Sequence, residues 1–376
     1  MKRVVHIGYV HTYNDTRILM KECISLKKTG KYDVTYITSN KNADFLDKEF
    51  NGISVEIINL NKEKGKLIFE YLKQVKVRLE EINADIYHIH EPLLLPLVFW
   101  LKKRNKRVIY DMHEDSAGDM ADYFKKYGKL SSLLVKRIVS WYEKKAIKKT
   151  DGFIYVTPQF EKQGLDIDNR ALIPNFPIID EKINIPVYED YVKRKESICF
   201  AGGIGDIWSH KLILESIGKI KNIEYNLAGR STETYLNELK ELDGWKKTNY
   251  YGVVSFNEVK EIYNKSRIGM SLLSHVFDGD EMGTLGNTKI YEFMSVGLPI
   301  ICTNFKLWQN MIEKYNCGIV VDLQDADELI ETIEYLIYNP KEAYKMGCNG
   351  IKAIREEYNW TNLELELFKI YEIALN

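Results

Sequence analysis

The sequence predicts an α/β protein with two doubly wound domains and a cleft between them. Its 376 residues exceed the length at which a single hydrophobic core usually stops growing. Short runs rich in Val, Ile and Tyr alternate with longer amphipathic stretches in both halves of the chain. Such alternation is typical of parallel sheets whose strands are joined by crossover helices.

The strand candidates fall into two sets, one in each half of the chain. The first-half strands are Val4–Gly8, Asp33–Thr38, Ser54–Ile58, Asp85–His90, Arg107–Met112 and Gly152–Val156. The second-half strands are Ser197–Ala201, Tyr225–Gly229, Ile268–Leu273, Pro299–Thr303 and Gly318–Asp322. Helical periodicity lies between them, for example over Arg17–Lys28 and Lys66–Ile82, and again from Leu329 onward. Ligands bind beyond the carboxyl ends of strands in open α/β sheets, so the loops after each strand are the candidate sites.

A stretch without clear periodicity separates the two halves and contains Pro174, Pro177 and Pro186. We therefore place an N-terminal domain at 1–178, a linker at 179–195 and a C-terminal domain at 196–355. The last segment, 356–376, is predicted to be a helix that crosses back to the N-terminal domain.

Cysteine spacing and hydropathy indicate the cellular compartment. The five cysteines are scattered and never in C-x-x-C spacing, which argues against a disulfide framework or a zinc site and is typical of a reducing cytosol. The apolar start of the chain is too short for a signal peptide. The longest apolar run, Pro92–Leu101, is about half of a membrane span. We expect a cytoplasmic protein, soluble or peripheral at the inner face of the cell membrane.

Charge is distributed unequally along the chain. Residues 1–150 carry 29 Lys and Arg against 19 Asp and Glu, and residues 151–376 carry 24 against 35. The segment 125–149 has nine basic residues and one acid, Glu143, interleaved with apolar side chains such as Trp141. Such a segment can dock on an anionic membrane surface, or its apolar stripe can pack in a core while the lysines face water. We favour membrane docking over nucleic acid, because no stacking platform accompanies the charges.

The strongest candidate site is the segment Gly283–Phe305. A glycine-rich loop leads there into a short predicted helix with Lys289 and Glu292, and a G-L-P turn follows. Glycines let backbone amides approach a diphosphate, and a helix N-terminus favours negative charge. Lys289 can add a point charge on the phosphates, and Glu292 can accept hydrogen bonds from ribose hydroxyls. The alternative is a loop–helix–strand connection whose glycines only make turns.

This segment resembles the donor-binding signature of glycosyltransferase family 4, in which the glutamate matched by Glu292 binds the nucleotide ribose. Other segments resemble the bacterial surface-polysaccharide members, in order along nearly the whole chain: His11–Leu26, His88–Pro96, Val108–Asp115 and Trp141–Val156. The resemblance implies the GT-B fold, two Rossmann-like domains with a cleft between them. It also implies a retaining, metal-independent, hexosyltransferase-like enzyme that needs no cofactor and uses a UDP- or GDP-linked sugar as donor substrate.

Matched residues in the first half suggest roles in catalysis and acceptor binding. His113 follows a predicted strand and matches the family histidine beside the transferred sugar; we predict His113 and Asp15 as catalytic. Residues predicted on the acceptor side are His11, Arg17, His90 and Glu91.

Each of these interpretations has an alternative. His113 can equally be a surface residue in a turn, and Arg17 a helix-start residue paired with Glu22. His88 is expected to be a packed core histidine. No residue is evidently a covalent nucleophile, although Glu91 and Glu114 both stay open for that role.

The remaining residues predicted to bind the nucleotide-sugar donor lie in the loops after the second-half strands. They are Gly202, Gly203, Lys211, Arg230, Gly283, Gly286 and Asn287. Two positions depart from the family pattern. Trp208 lies near the position at which the family usually has a basic residue. Thr284 stands where the common family pattern has a second glutamate, eight residues before Glu292. The sugar must then be contacted chiefly by backbone amides and Asn287.

The sequence as a whole indicates a transferase that builds capsule, lipopolysaccharide or another surface glycan on a glycan or lipid-linked acceptor. Two alternatives stay open. A nucleotide-sugar epimerase of the same fold would act on the donor without an acceptor. A non-enzymatic GT-B scaffold would fail to bind nucleotides. A dehydrogenase is disfavoured, because no G-x-G-x-x-G follows the first strand.

Overall fold

The computed structural model describes residues 1–39, 49–60, 67–179, 185–274 and 281–376. The chain forms two compact units. The first contains Met1–Asn175 together with Trp360–Asn376, and the second contains Phe176–Asn359. Each unit is an α/β body around its own parallel sheet, and the predicted fold class is confirmed.

The sheet of the first unit has eight strands among the described residues. They are β1 (Lys2–Ile7), β2 (Tyr32–Ser39), β3 (Glu49–Phe50), β4 (Ile53–Ile58), β5 (Ile86–Ile89), β6 (Arg107–Met112), β7 (Gly152–Tyr155) and β8 (Arg170–Leu172), in the order β3-β4-β2-β1-β5-β6-β7-β8. All neighbours are parallel except β3 and β4. The six predicted strands are all present; β3 and β8 were missed because they are only two and three residues long.

The sheet of the second unit has six described strands, all parallel. They are β9 (Ser197–Ala201), β10 (Glu224–Ala228), β11 (Thr248–Tyr250), β12 (Ile268–Ser271), β13 (Ile300–Thr303) and β14 (Gly318–Val321), in the order β11-β10-β9-β12-β13-β14. The edge strand β11 was not predicted; its sequence, Thr-Asn-Tyr, is too short to show a period.

Helices connect the strands and cover the sheets. They are α1 (Ile24–Lys28), α2 (Leu67–Ile82), α3 (Leu95–Lys102), α4 (Ser116–Phe124), α5 (Lys129–Ile147), α6 (Tyr188–Lys193), α7 (His210–Lys219), α8 (Glu233–Lys240), α9 (Phe256–Lys265), α10 (Thr288–Ser295), α11 (Lys306–Tyr315), α12 (Ala326–Tyr338), α13 (Pro340–Glu356) and α14 (Trp360–Leu375). None of the described helices is both long enough and apolar enough to cross a membrane.

Two predicted segments differ from the structure in form. The predicted linker 179–195 contains α6, and its described residues belong to the second compact unit. The predicted helix Arg17–Lys28 is a π-helical turn, Ile18–Cys23, followed by α1. In the turn the Glu22 amide donates to the Arg17 carbonyl at 3.0 Å, a five-residue step that widens the helix.

The last helix belongs to the core of the first unit. Trp360, Leu367, Ile370 and Tyr371 are buried against the apolar residues of β1, β2 and β5 to β7. Trp360 Nε1 donates to Ser25 Oγ at 2.8 Å. Because α14 closes one face of the first sheet, the chain must pass through the second unit before the first can complete its core.

The buried carboxyl of Glu143 predicts how stability depends on pH. Burial raises the pKa of Glu143 to about 7, although the Tyr110 hydroxyl donates to it at 3.2 Å. In the unfolded chain a glutamate ionises near pH 4.3, so stability falls as pH rises from about 4.5 to about 7. The substitution Glu143→Gln should remove this fall and gain about 2–3 kcal/mol relative to wild type between about pH 5 and pH 8. Urea unfolding of both proteins at about pH 5 and about pH 8 measures this gain. If the free energies of unfolding of variant and wild type differed by the same amount at both pH values, the burial argument would be contradicted.

Candidate active site

An open pocket of about 390 Å³ lies at the carboxyl ends of β9 and β10 in the second unit. It is lined by Ala201, Gly202, Gly203, Ala228, Gly229, Arg230, Val253, Val254, Phe256, Val259, Tyr263 and Glu292. The size is within the range of small-molecule sites. A second cavity of about 550 Å³ shares Phe256, Val259, Tyr263 and Glu292 with it, so Glu292 stands on the wall common to both.

Two glycines let the loops after β9 and β10 touch backbone to backbone. Gly202 and Gly229 have φ values of +151° and +138°, which side-chain-bearing residues rarely adopt. A Cβ on Gly229 would lie 1.7 Å from the Gly202 carbonyl oxygen, and a Cβ on Gly202 would lie 2.3 Å from Lys289 Cε. The pocket floor is therefore bare backbone, with the Lys289 side chain crossing beside it.

The Lys289 ammonium is held by aromatic rings. Its Nζ lies 4.1 Å from the centroid of the Trp208 ring and 5.2 Å from that of Phe200. Burial lowers the pKa of Lys289, and the negative charge of Glu292 opposes that shift. A cation over the face of Trp is stabilised by the ring quadrupole. Trp208, a departure from the family pattern, thus positions the cation that the sequence assigned to the phosphates.

The Glu292 carboxylate is oriented by a residue that the sequence analysis missed. Tyr263, on α9, donates its hydroxyl to Glu292 Oε2 at 3.1 Å. Burial raises the pKa of Tyr263 and the nearby Glu292 charge raises it further, so this hydroxyl stays a donor. Tyr263 is 29 positions from Glu292, and no local pattern in the sequence indicates that they meet.

The polar groups of the loop before α10 form hydrogen bonds within the protein. Asn287 is 8% exposed; its Oδ1 accepts from the Lys289 amide at 3.2 Å and its Nδ2 donates to Ser271 at 2.8 Å. The Gly286 amide donates to Thr284 Oγ1 at 2.9 Å. Gly283, with φ +78°, packs against Phe305. In the structure these groups shape the loop and cap the helix, and contact of Gly283, Gly286 and Asn287 with the donor stays a prediction.

Two predicted cations occupy different places. Arg230 lines the pocket at the end of β10. Lys211 is exposed on α7 and pairs with Glu238 at 2.7 Å, and it lies near the Tyr235 ring. Its ammonium turns toward α8 in this structure, and its role in donor binding stays a prediction. The preceding residue, His210, is buried and its Nδ1 lies 3.0 Å from the Tyr225 hydroxyl.

In the first unit, the loop after β1 is fixed by Glu91. The carboxylate oxygen Oε1 accepts from the amides of Tyr9 and Val10, both at 2.7 Å, and of His11 at 3.3 Å. His11 Nδ1 lies 3.0 Å from Asp15 Oδ2. Burial alone would lower the pKa of His11 and raise that of Asp15, but their mutual attraction outweighs it. The pKa of His11 is raised and that of Asp15 is lowered, as in an ion pair.

The loop after β6 brings His113 beside this pair. His113 Nε2 lies 2.7 Å from Asp111 Oδ2, and the His113 and His11 rings are 5.4 Å apart. The side chains of His11, Asp15 and His113 are 22%, 21% and 12% exposed. The structure therefore groups the two residues predicted as catalytic with His11, at the carboxyl edge of one sheet.

Three residues predicted on the acceptor side are buried instead. Arg17, His90 and Glu91 are 4%, 1% and 3% exposed. The Arg17 guanidinium donates to Asp111 at 2.9 and 3.0 Å and to the Ile173 carbonyl at 2.9 Å, and Glu91 holds the loop after β1. The prediction of acceptor contact is corrected for all three, because they lie behind the exposed residues. The predicted core position of His88 is confirmed.

Both units match known families. Residues 189–353 match the family described as "Glycosyl transferases group 1", and residues 23–176 match "Glycosyltransferase Family 4". These ranges include Lys289, Glu292 and His113, together with most of both sheets. The chain is a glycosyltransferase of the family 4 type.

Solved structures resemble this glycosyltransferase over its whole length. Sucrose-phosphate synthase from Thermosynechococcus elongatus superimposes with a TM-score of 0.75 at 15% identity, covering 99% of this chain and 98% of that one. Anabaena HepE in complex with UDP-glucose gives 0.69 at 10% identity, covering 99% and 100%. WaaG, a glycosyltransferase involved in lipopolysaccharide biosynthesis, gives 0.66 at 14% identity, covering 95% and 96%. These likenesses establish the GT-B fold. Among curated proteins, no match is found.

The Tyr263–Glu292 hydrogen bond predicts a modest, specific effect on nucleotide binding. Tyr263→Phe should weaken binding about fivefold, because one hydrogen bond that orients the carboxylate is lost. The control is Tyr191→Phe, which removes another buried hydroxyl whose partner is the Arg267 carbonyl at 3.0 Å. Calorimetric titration with the nucleotide that binds wild type measures both. Equal losses in the two variants would show a general effect on packing.

Proposed function

We propose that the protein is a retaining glycosyltransferase that transfers a hexosyl group from a UDP- or GDP-linked donor to a glycan or lipid-linked acceptor. The acceptor would be a precursor of a bacterial surface polysaccharide, such as capsule or lipopolysaccharide. The observation that carries the proposal is the pocket in which bare backbone, a ring-held ammonium and an oriented carboxylate come together.

Each part of this pocket suits one part of a nucleotide diphosphate sugar. The Glu292 carboxylate, fixed by Tyr263, accepts hydrogen bonds from ribose hydroxyls. The Lys289 ammonium and Arg230 supply positive charge near the open backbone at Gly202. As the glycosidic bond breaks, negative charge develops on the departing diphosphate, and cations already in place stabilise it. We propose that these cations replace a divalent metal at the diphosphate.

The group formed by His11, Asp15 and His113 supports a role in acceptor binding and catalysis. These side chains are partly exposed, whereas the groups that hold them are buried. The pKa of His11 is raised by the neighbouring Asp15 against the effect of burial, which favours the protonated imidazole and suits an anionic or hydroxyl-bearing acceptor. His113 is held by Asp111 and is 12% exposed, and we propose that it contacts a sugar hydroxyl. Glu91 is buried under three amides, an arrangement that disfavours it as a covalent nucleophile.

Nucleotide binding and acceptor dependence together test the proposed reaction. Titration with UDP and GDP should show one preferred nucleotide, with an affinity unchanged by Mg²⁺ or Mn²⁺. Glu292→Ala should weaken it at least about tenfold, because a carboxylate makes charge-assisted hydrogen bonds. Glu331→Ala, an exposed glutamate on α12, is the control.

Release of nucleotide from the cognate nucleotide-sugar should require an added glycan or lipid-linked acceptor, apart from slow hydrolysis. Conversion of the donor sugar without any acceptor would favour the epimerase. A folded protein that binds neither nucleotide would favour the scaffold.

A surface of the first unit supports docking on an anionic membrane. We call it the α4–α5 face; it carries the large apolar residues Tyr123, Tyr127, Leu130, Leu133, Leu134, Ile138 and Trp141, all more than half exposed. The nine basic residues of 125–149 lie on the same segment, and its one acid, Glu143, is buried. The alternative, that this apolar stripe packs in the core, is disfavoured by the exposure of Leu133, Leu134, Ile138 and Trp141.

Charge reversal on this face predicts loss of membrane binding. In flotation with vesicles of mixed phosphatidylcholine and phosphatidylglycerol, wild type should bind and Lys136→Glu/Arg137→Glu should bind at least about tenfold more weakly, since each basic residue contributes about 1 kcal/mol. Lys219→Glu/Lys221→Glu, with the same charge change on exposed residues of the second unit, should bind as wild type does. Similar losses in both double variants would argue for net charge alone and against a docking face.

A further inference from the structure

Four polar side chains meet in the interior of the first unit, away from solvent. They are His6, Glu22, His88 and His90, each 0–1% exposed. His6 on β1 and His88 on β5 are direct partners in the sheet register. His90 is two residues beyond His88 and therefore on the same side of the strand. Glu22 enters from the π-helical turn Ile18–Cys23.

The distances suit a set of ligands around one ion. Glu22 Oε2 lies 3.7 Å from His6 Nδ1, 3.7 Å from His88 Nδ1 and 3.8 Å from His90 Nε2. His6 Nδ1 and His90 Nε2 are 2.9 Å apart. Ligand atoms about 2.0–2.1 Å from a tetrahedral zinc ion are roughly 3.3 Å from one another. The observed separations lie on both sides of that value, so small shifts place all four side chains on a common centre.

The same side chains hold buried polar atoms without hydrogen bonds. Among the described residues, Glu22 Oε1 and Oε2, His88 Nε2 and His90 Nδ1 are buried and have no hydrogen-bond partner. Arg17 Nε lies 3.2 Å from Glu22 Oε1, but its hydrogen is directed at Asp111 and His113. Buried polar atoms are nearly always satisfied. Glu22 Oε2 is the unsatisfied atom that faces a nitrogen of all three histidines, so an ion at the centre would supply its missing partner.

Charge and outer contacts identify the kind of partner. The Arg17 cation faces two buried carboxyl groups, Glu22 and Asp111, so either a proton or a bound cation balances the second negative charge. Ligating histidines usually bond a second group through the other ring nitrogen. His6 Nε2 lies 3.1 Å from the Tyr371 hydroxyl, and His90 Nδ1 lies 3.5 Å from Asp111 Oδ2. The Tyr371 hydroxyl also lies 2.7 Å from His88 Nδ1. If a metal ion occupied that nitrogen, the hydroxyl would keep its hydrogen bond with His6 Nε2.

We propose that His6, Glu22, His88 and His90 form a structural site for a divalent transition-metal ion, zinc being the best match to three imidazoles and one carboxylate. None of these four ligands is a cysteine, so the expectation drawn from cysteine spacing does not bear on this site. All four ligands come from the protein and none is exposed, so the ion joins β1, β5 and the π-helical turn rather than acting on a substrate. It is distinct from the metal-independent binding proposed for the donor.

Metal content of the full chain tests the proposal. Protein purified without chelator, with any affinity tag removed, should hold about one zinc ion per chain by mass spectrometry of the metals. His88→Gln should lose it. Two controls should keep it: His210→Gln, a buried histidine of the second unit, and His113→Gln, which disrupts the neighbouring group His90, Asp111 and His113. Loss in His113→Gln with retention in His88→Gln would overturn the assignment.

A measurement on wild type covers the case in which His88→Gln does not fold. Metal-free protein, prepared by chelation under mild denaturant and refolded, should regain thermal stability on addition of Zn²⁺. With Co²⁺ it should develop the visible absorption of a tetrahedral ion. Metal-free protein as isolated from zinc-supplemented cells, with neither response, would overturn the proposal; a proton on one of the four side chains would then balance the charge.

Discussion

The donor-side pocket depends on one lysine ammonium held over an indole ring. Lys289 lies beside backbone that only glycine can provide at position 202, and the described residues give it no carboxylate within ion-pair distance. Burial lowers its pKa, so its charge costs free energy until an anion arrives. The rest of the pocket follows from this. Position 229 must be glycine, because a Cβ there would collide with the Gly202 carbonyl oxygen. The Tyr263 hydroxyl orients the Glu292 carboxylate through one of its oxygens.

The first unit buries several charged side chains beside its sheet, and each must be balanced by a partner. Arg17 neutralises Asp111 and lies against Glu22, and Glu91 is surrounded by amides. This buried layer holds the exposed group of His11, Asp15 and His113 in place. A metal ion in the histidine cluster would link the same layer to α14 through Tyr371, so the end of the chain would help to fix the site at its beginning.

The sequence predicts the architecture well because alternating periods and strand-end loops are local signals. It predicts the positions of Lys289 and Glu292 for the same reason, since both lie on one short helix after a glycine loop. It fails where the deciding contact is distant. Nothing near Arg17 or His90 shows that they will be buried, because their partners Asp111 and His6 come from other strands. Likewise, the sequence shows Trp208 only as the absence of a basic residue. The structure shows that its ring lies against the Lys289 ammonium.

Comparing uridine with UDP, or guanosine with GDP, in wild type and Lys289→Met tests the central claim most directly. By calorimetry, wild type should bind the diphosphate far more tightly than the nucleoside, and Lys289→Met should lose at least about tenfold of that preference, because a charge-assisted contact to phosphate is removed. Affinity for the nucleoside should hardly change, and Lys219→Met, an exposed lysine on α7, should behave as wild type. An unchanged preference for the diphosphate in Lys289→Met would contradict the assignment of the pocket.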